Sequence, residues 1–191
     1  MNKFSGNKFL LYAISVLLFV LFQILNFEPK KNFILKIQAN KDDISSIDDI
    51  RKIKLSSIKF IDTINFPSSK YLTHLKHGPI GFDKNYFLDF RGKFNTLEKG
   101  EYEIKITSDD GYKLFIDDKI ISQHIKDRPA NSFDEIEIEL DQGFHDFFMT
   151  YFQGYGNAAL EVMYRKKGDK NFRHLGKDSK LIKFSPFTWV H

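Results

Sequence analysis

Hydrophobic and polar positions divide the chain into three regimes. In the first, Phe9 to Phe27 (FLLYAISVLLFVLFQILNF) runs nineteen residues without a charge. The run is apolar on every side of a helix rather than along one protein-facing stripe, and at about 1.5 Å per residue it reaches roughly 28 Å. Lys3 and Lys8 precede it, and Lys30 and Lys31 follow. A cleaved leader wants small residues just beyond the apolar stretch, whereas Leu25-Asn26-Phe27-Glu28-Pro29 is bulky and charged. The pattern therefore predicts a retained transmembrane helix over 9–27 after a short tail, 1–8. Lysines balance across the two flanks, so charge alone does not orient it.

The second regime, 28–54, reads as a linker. Ile44, Ile47, Ile50 and Ile53 recur at spacing three, with Ser45 and Ser46 available as caps, which fits one short helix. Asp42, Asp43, Asp48 and Asp49 keep the segment polar.

From residue 55 to 191 the period changes to two. Phe87 to Phe94 alternates, and Glu101 to Ile106 sets Tyr102, Ile104 and Ile106 on one face with charges on the other. Tyr112–Ile116, Lys119–Ile121, Ile136–Leu140, Phe144–Phe152 and Leu160–Tyr164 continue the series, divided by Asp109-Asp110-Gly111, Asp117-Asp118 and Gln142-Gly143. Short strands with turn chemistry between them predict an all-β domain, an antiparallel sandwich or barrel with one face of each strand on the core.

Composition adjusts this picture in three places. The absence of cysteine excludes disulfides, thiolate metal sites and cysteine nucleophiles. The net charge of +4 sits wholly in residues 1–36, and residues 37–191 hold 24 basic and 24 acidic side chains, so nothing in the balance supports nucleic-acid binding. The 21 phenylalanines fall mostly on inward strand positions and are read as core.

Gly100 to Ile121 (GEYEIKITSDDGYKLFIDDKII) resembles the central signature of the PA14 domain family, the β-domain type of anthrax protective antigen and of flocculins. Gly100 and Tyr102, Ser108 to Gly111, and Leu114 to Asp117 fill its places. Phe90-Arg91-Gly92 upstream, and Leu140 to His145 and Ala158 to Val162 downstream, match further strands in the right order. One departure is Asp118, where the family has glycine, which implies a different turn. The resemblance covers about 55–185 and implies a sandwich of the PA14 type. In the lectin members, adjacent aspartates joined by a cis peptide and an asparagine from a later loop hold calcium, which accepts sugar hydroxyls. By position, the resemblance puts Asp109 and Asp110 in that metal set, with Asn157 in the loop 153–157 as the nearest candidate for the later ligand; Tyr112 and Tyr155 flank the motif and are read as ligand-binding residues that stack on a sugar ring. Calcium takes six to eight oxygen ligands, which carboxylates and an amide carbonyl help supply. The same residues also read without metal, since Asp-Asp-Gly is ordinary turn chemistry and both tyrosines fit rim packing.

No phosphate loop, serine elbow or His-Glu-x-x-His helix occurs. His74-x-x-His77 is the one close histidine pair and reads as a surface loop, while His145 reads as a structural hydrogen-bonder. The chain is therefore expected not to be an enzyme. Two functions remain open. One is a membrane-anchored module, N-terminus cytoplasmic and β-domain periplasmic or extracellular, recognising carbohydrate through calcium at the Asp-Asp motif. The other is a non-enzymatic structural or assembly subunit of a cell-envelope membrane complex, its β-domain docking protein partners.

Overall fold

A computed structural model describes residues 5–25 and 30–186. The chain forms two units, one ending at Lys30 and one beginning at Lys31. The first contains α1 (Ser5–Leu25). Among the described residues no helix is long and apolar enough to cross a membrane. This corrects the expected anchor over 9–27. The single-pass placement, the membrane as a partner and the cytoplasmic and periplasmic assignments rested on that span and fall with it. Residues 1–4 of the expected tail, and 26 and 27 of the span, lie outside the described residues.

The second unit is all-β. In chain order its strands are β1 (Phe33–Asn40), β2 (Ile53–Ile61), β3 (Asn65–Ser69), β4 (Thr73–His74), β5 (Gly78–Pro79), β6 (Tyr86–Thr96) and β7 (Gly100–Asp109). There follow β8 (Tyr112–Ile116), β9 (Lys119–His124), β10 (Phe133–Leu140), β11 (Gly143–Gln153), β12 (Ala158–Lys166), β13 (Arg173–His174) and β14 (Ile182–Phe184). The first sheet runs β2-β1-β6-β11-β8-β9, with β14 also on β6; the second runs β10-β7-β12-β13, with β3 also on β12. All these pairings are antiparallel.

Alternation explains how the sheets meet. Leu35 and Ile37 of β1, Leu88 and Phe90 of β6, and Phe147 and Met149 of β11 face Ile104 and Ile106 of β7 and Leu160 and Val162 of β12 in one buried core. Fully burying such a side chain contributes about 1.5–3 kcal/mol, so the inward positions account for most of the fold's cohesion.

Where the sequence reading places a linker, the structure has a central strand and a strap. β1 lies between β2 and β6. Residues 41–52 then cross the outer face of the first sheet, where Ile44 and Ile47 pack with Phe87 and Phe152 in a second apolar cluster. The expected short helix does not form. Instead the Asp49 carboxylate accepts the Ser45 and Ser46 amides at 2.8 and 3.0 Å, closing one turn that goes no further. Ile47 N donates to Ile125 O at 2.9 Å, which ties the strap to the loop after β9. Arg51 ends the strap by reaching Asp89, Gln38 and Thr150. Asp49→Ala is expected to cost about 1 kcal/mol, as for a lost cap, read as a small fall in the thermal midpoint with the far-ultraviolet spectrum unchanged.

Candidate functional site

Two Asp-Asp pairs that look alike in sequence do different work. Asp117 and Asp118 both have positive φ, 51° and 61°, and form the tight turn of the β8–β9 hairpin. Positive φ at both positions is the geometry an Asp-Gly pair also adopts, so Asp118 does not by itself mark a different turn. Asp109 and Asp110, by contrast, do not close a hairpin. β7 pairs with β10 and β12 in one sheet, while β8 pairs with β9 and β11 in the other. Asp109-Asp110-Gly111 is thus the crossover between the two sheets, and the Asp109–Asp110 peptide is cis. Gly111 is required by close approach: a Cβ there would lie 2.5 Å from His124 O, 2.7 Å from Phe152 Cε1 and 2.9 Å from Lys126 O.

The crossover is anchored from every side. Asp110 Oδ2 accepts the Gly154 amide at 2.7 Å. The Tyr151 hydroxyl donates to the Asp109 carbonyl and stands 2.5 Å from Gln153 Oε1. Gln153 Nε2 in turn donates to the carbonyls of Tyr155 and Asn157 at 3.2 and 2.9 Å, fixing the following loop. Arg128 binds the Ser108 hydroxyl and pairs with Asp134 at 2.7 Å. Both aspartates are buried. Burial, then the Asp110 charge, push the Asp109 carboxyl up to about 7, against the pull of Arg128. Burial also raises Asp110, although the Gly154 amide opposes it. The two carboxyls therefore share proton and charge in a poorly hydrated place.

The remaining expected site residues separate. Tyr112 is fully buried, on the same inward register as Leu114 and Ile116, with its hydroxyl 2.6 Å from Ser122 and donating to Asp134 at 2.7 Å. Tyr155 is 54% exposed, so of the two tyrosines it alone offers a face to a ligand. Tyr155 and Asn157 line an open cleft of about 310 Å³ with Lys70, Asp83 and Lys84, and Lys84 Nζ stands 4.9 Å over the Tyr155 ring. The sequence reading missed Gln153. Its signal was present, because it continues the inward register of Phe147, Met149 and Tyr151 as a buried amide. Arg128 left no such trace, lying in an irregular stretch.

Among the described residues, the group of three His, Asp or Glu with donor atoms within 4.8 Å of one another is Asp62, His74 and His77. These residues could coordinate a metal ion, with nothing specific to calcium. As they stand they bond to each other and to the chain. His74 Nδ1 accepts the Lys76 and His77 amides at 3.1 and 3.2 Å, which leaves the proton on Nε2, 3.0 Å from Thr63 O. Lys76 Nζ sits 2.5 Å from Asp62 Oδ2, and His77 Nε2 lies 3.2 Å from Oδ1. His74 is buried rather than on a surface loop. Among the described residues, Asp109 and Asp110 gather no third carboxylate or imidazole in this range. Calcium-dependent sugar capture at the Asp-Asp motif is corrected on that ground. His145 spans Asp117 at 2.7 Å and the Asp141 carbonyl at 2.9 Å, the geometry of a structural brace.

The model of the PA14 domain matches residues 76–154. The PA14 domain of the MpAFP antifreeze protein superposes with a TM-score of 0.63 at 13% identity, over 78% of this chain and 89% of that one. The β unit has the PA14 fold. A PA14 sugar-binding domain from an RTX adhesin gives 0.59 at 16% identity, over 78% and 96% of the two chains. An anti-sigma factor domain-containing protein from Clostridium clariflavum gives 0.55 at 20% identity, over 83% of this chain and 49% of its own. No curated protein matches the sequence.

Proposed function

We propose that the PA14-like unit docks a protein partner, as a structural or assembly subunit, through the rim where Tyr155 and Asn157 stand over the aspartate crossover. The observation that carries this reading is Tyr155, a half-exposed aromatic on a loop held from beneath by Gln153 and Asp110. A rigidly based tyrosine with cations and an acid around it is the composition of an interface hot spot, since little side-chain entropy is lost when a partner covers it. Lys70, Lys84 and Asp83 supply the polar rim.

A second reading has one specific support. Tyr155 with Asn157 in a cleft also suits a sugar ring, and the similar domain from the RTX adhesin is a sugar-binding one. A photo-cross-linking residue placed at Tyr155, and for comparison at Glu137 on the opposite sheet, separates the two. A discrete protein adduct from position 155 alone is the expected result. Adducts absent from both positions, together with glycan-array binding abolished by Tyr155→Ala, would replace docking with sugar recognition.

A further inference from the structure

Charge over residues 37–191 is balanced overall but not along the chain. Between Arg165 and Lys180 seven cations stand against two acids, Asp169 and Asp178. The fold does not spread them. The turn from β12 to β13 and the segment before β14 enclose an open cleft of about 430 Å³, lined by Arg165, Lys166, Lys170, Arg173 and Lys180, with Asp169 as its one acid.

Two of these cations are already partnered. Arg165 pairs with Glu103 and stacks 4.2 Å over Phe172, and Lys166 pairs with Glu98. Lys170, Arg173 and Lys180 make no ion pair among the described residues. Tyr102 and Tyr164, both buried, form the floor; Tyr164 donates its hydroxyl to Lys177 O at 2.6 Å, which holds the segment carrying Lys180 in place. Like charges converging on one concavity repel each other, and a concave wall of low dielectric strengthens their common field, so the arrangement is relieved by an anion. Arg173 brings a planar fork suited to two oxygens of one group, and the lysines bring point charges.

We propose that this cleft is an oxyanion site taking a phosphate or sulfate group, free or as an ester. It is separate from the docking rim. Lys166 pairs with Tyr102 at one end of the β7–β12 ladder and Ala159 with Asp109 at the other, seven residues or roughly 23 Å away.

The test is calorimetric titration of the full chain at fixed ionic strength with inorganic phosphate, inorganic sulfate, glucose 6-phosphate and glucose. Saturable binding of the anions and none of glucose is expected. Arg173→Gln with Lys180→Gln weakens it by about tenfold or more, with the thermal midpoint unchanged, and Lys119→Gln elsewhere on the surface has no effect. Tighter glucose 6-phosphate than phosphate identifies an ester as the ligand, and equal affinities a free ion. Heats that do not saturate, or affinity unchanged in the double variant, overturn the site.

Discussion

Gly111→Ala is expected to destabilise the β unit by about 3 kcal/mol, a fall of roughly 6–12 °C in the thermal midpoint. The residue is one step past the aspartates, where the chain leaves one sheet for the other. An added methyl would meet two backbone carbonyls, His124 O and Lys126 O, and the Phe152 ring, all inside 3.0 Å. Carbonyls cannot rotate aside as a side-chain end can, so the crossover or the 124–126 segment has to move. Movement there disturbs both the Asp110–Gly154 bond and the Phe152 cluster under the strap. Gly100→Ala is the matched control, because its Cβ would find only ordinary contacts at 3.8 Å. Equal melting of the two variants would show that the crossover is not tightly packed.

The aspartate pair predicts a change of opposite sign. Asp109 holds its proton to about 7 in the folded protein, against 3.8 for the free side chain. Below pH 4 both states are protonated and the group contributes nothing to the difference. As pH rises from about 4 to about 7 the unfolded chain releases a proton that the folded chain keeps, so stability falls across that window. At about 1.4 kcal/mol per unit, the shift of Asp109 from 3.8 to about 7 costs at most about 4 kcal/mol once pH exceeds 7. Asp109→Asn removes the titrating group while keeping the shape. It should melt with the wild type near pH 4 and above it by several degrees at pH 8, in calorimetry at fixed salt. Parallel curves across the whole range would mean that the carboxyls ionise freely.

The sequence showed the fold wherever a strand has one wet face. β7 and β8 alternate because their outward sides are charged or half-exposed, and the alternation also placed Tyr112 on the inward register with Leu114 and Ile116, although its aromatic ring suggested a ligand. β1 was illegible for the converse reason. Its pattern is buried at Phe33, Leu35, Ile37 and also at Gln38, Ala39 and Asn40, since the strap covers its outer side and the period of two disappears. Ile44 and Ile47 at spacing three suggested a helix, but two apolar residues on one turn of a strap satisfy the same spacing. The site was legible in part. Asp109 and Asp110 stood out by resemblance, while nothing local distinguished a sheet crossover from the hairpin turn at Asp117 and Asp118. That distinction depends on which strands pair, a long-range property. The cluster of Asp62 with His74 and His77 was hidden similarly, since residues twelve and fifteen positions apart meet only through β4 and its loop.

Docking at the Tyr155 rim is the central claim, and its most direct measurement is the affinity of the partner cross-linked at position 155 for the intact chain and for Tyr155→Ala. The account predicts a loss of about 30-fold or more in Kd, with the thermal midpoint unchanged. An affinity unchanged in Tyr155→Ala would contradict it and move the interface elsewhere on the β unit.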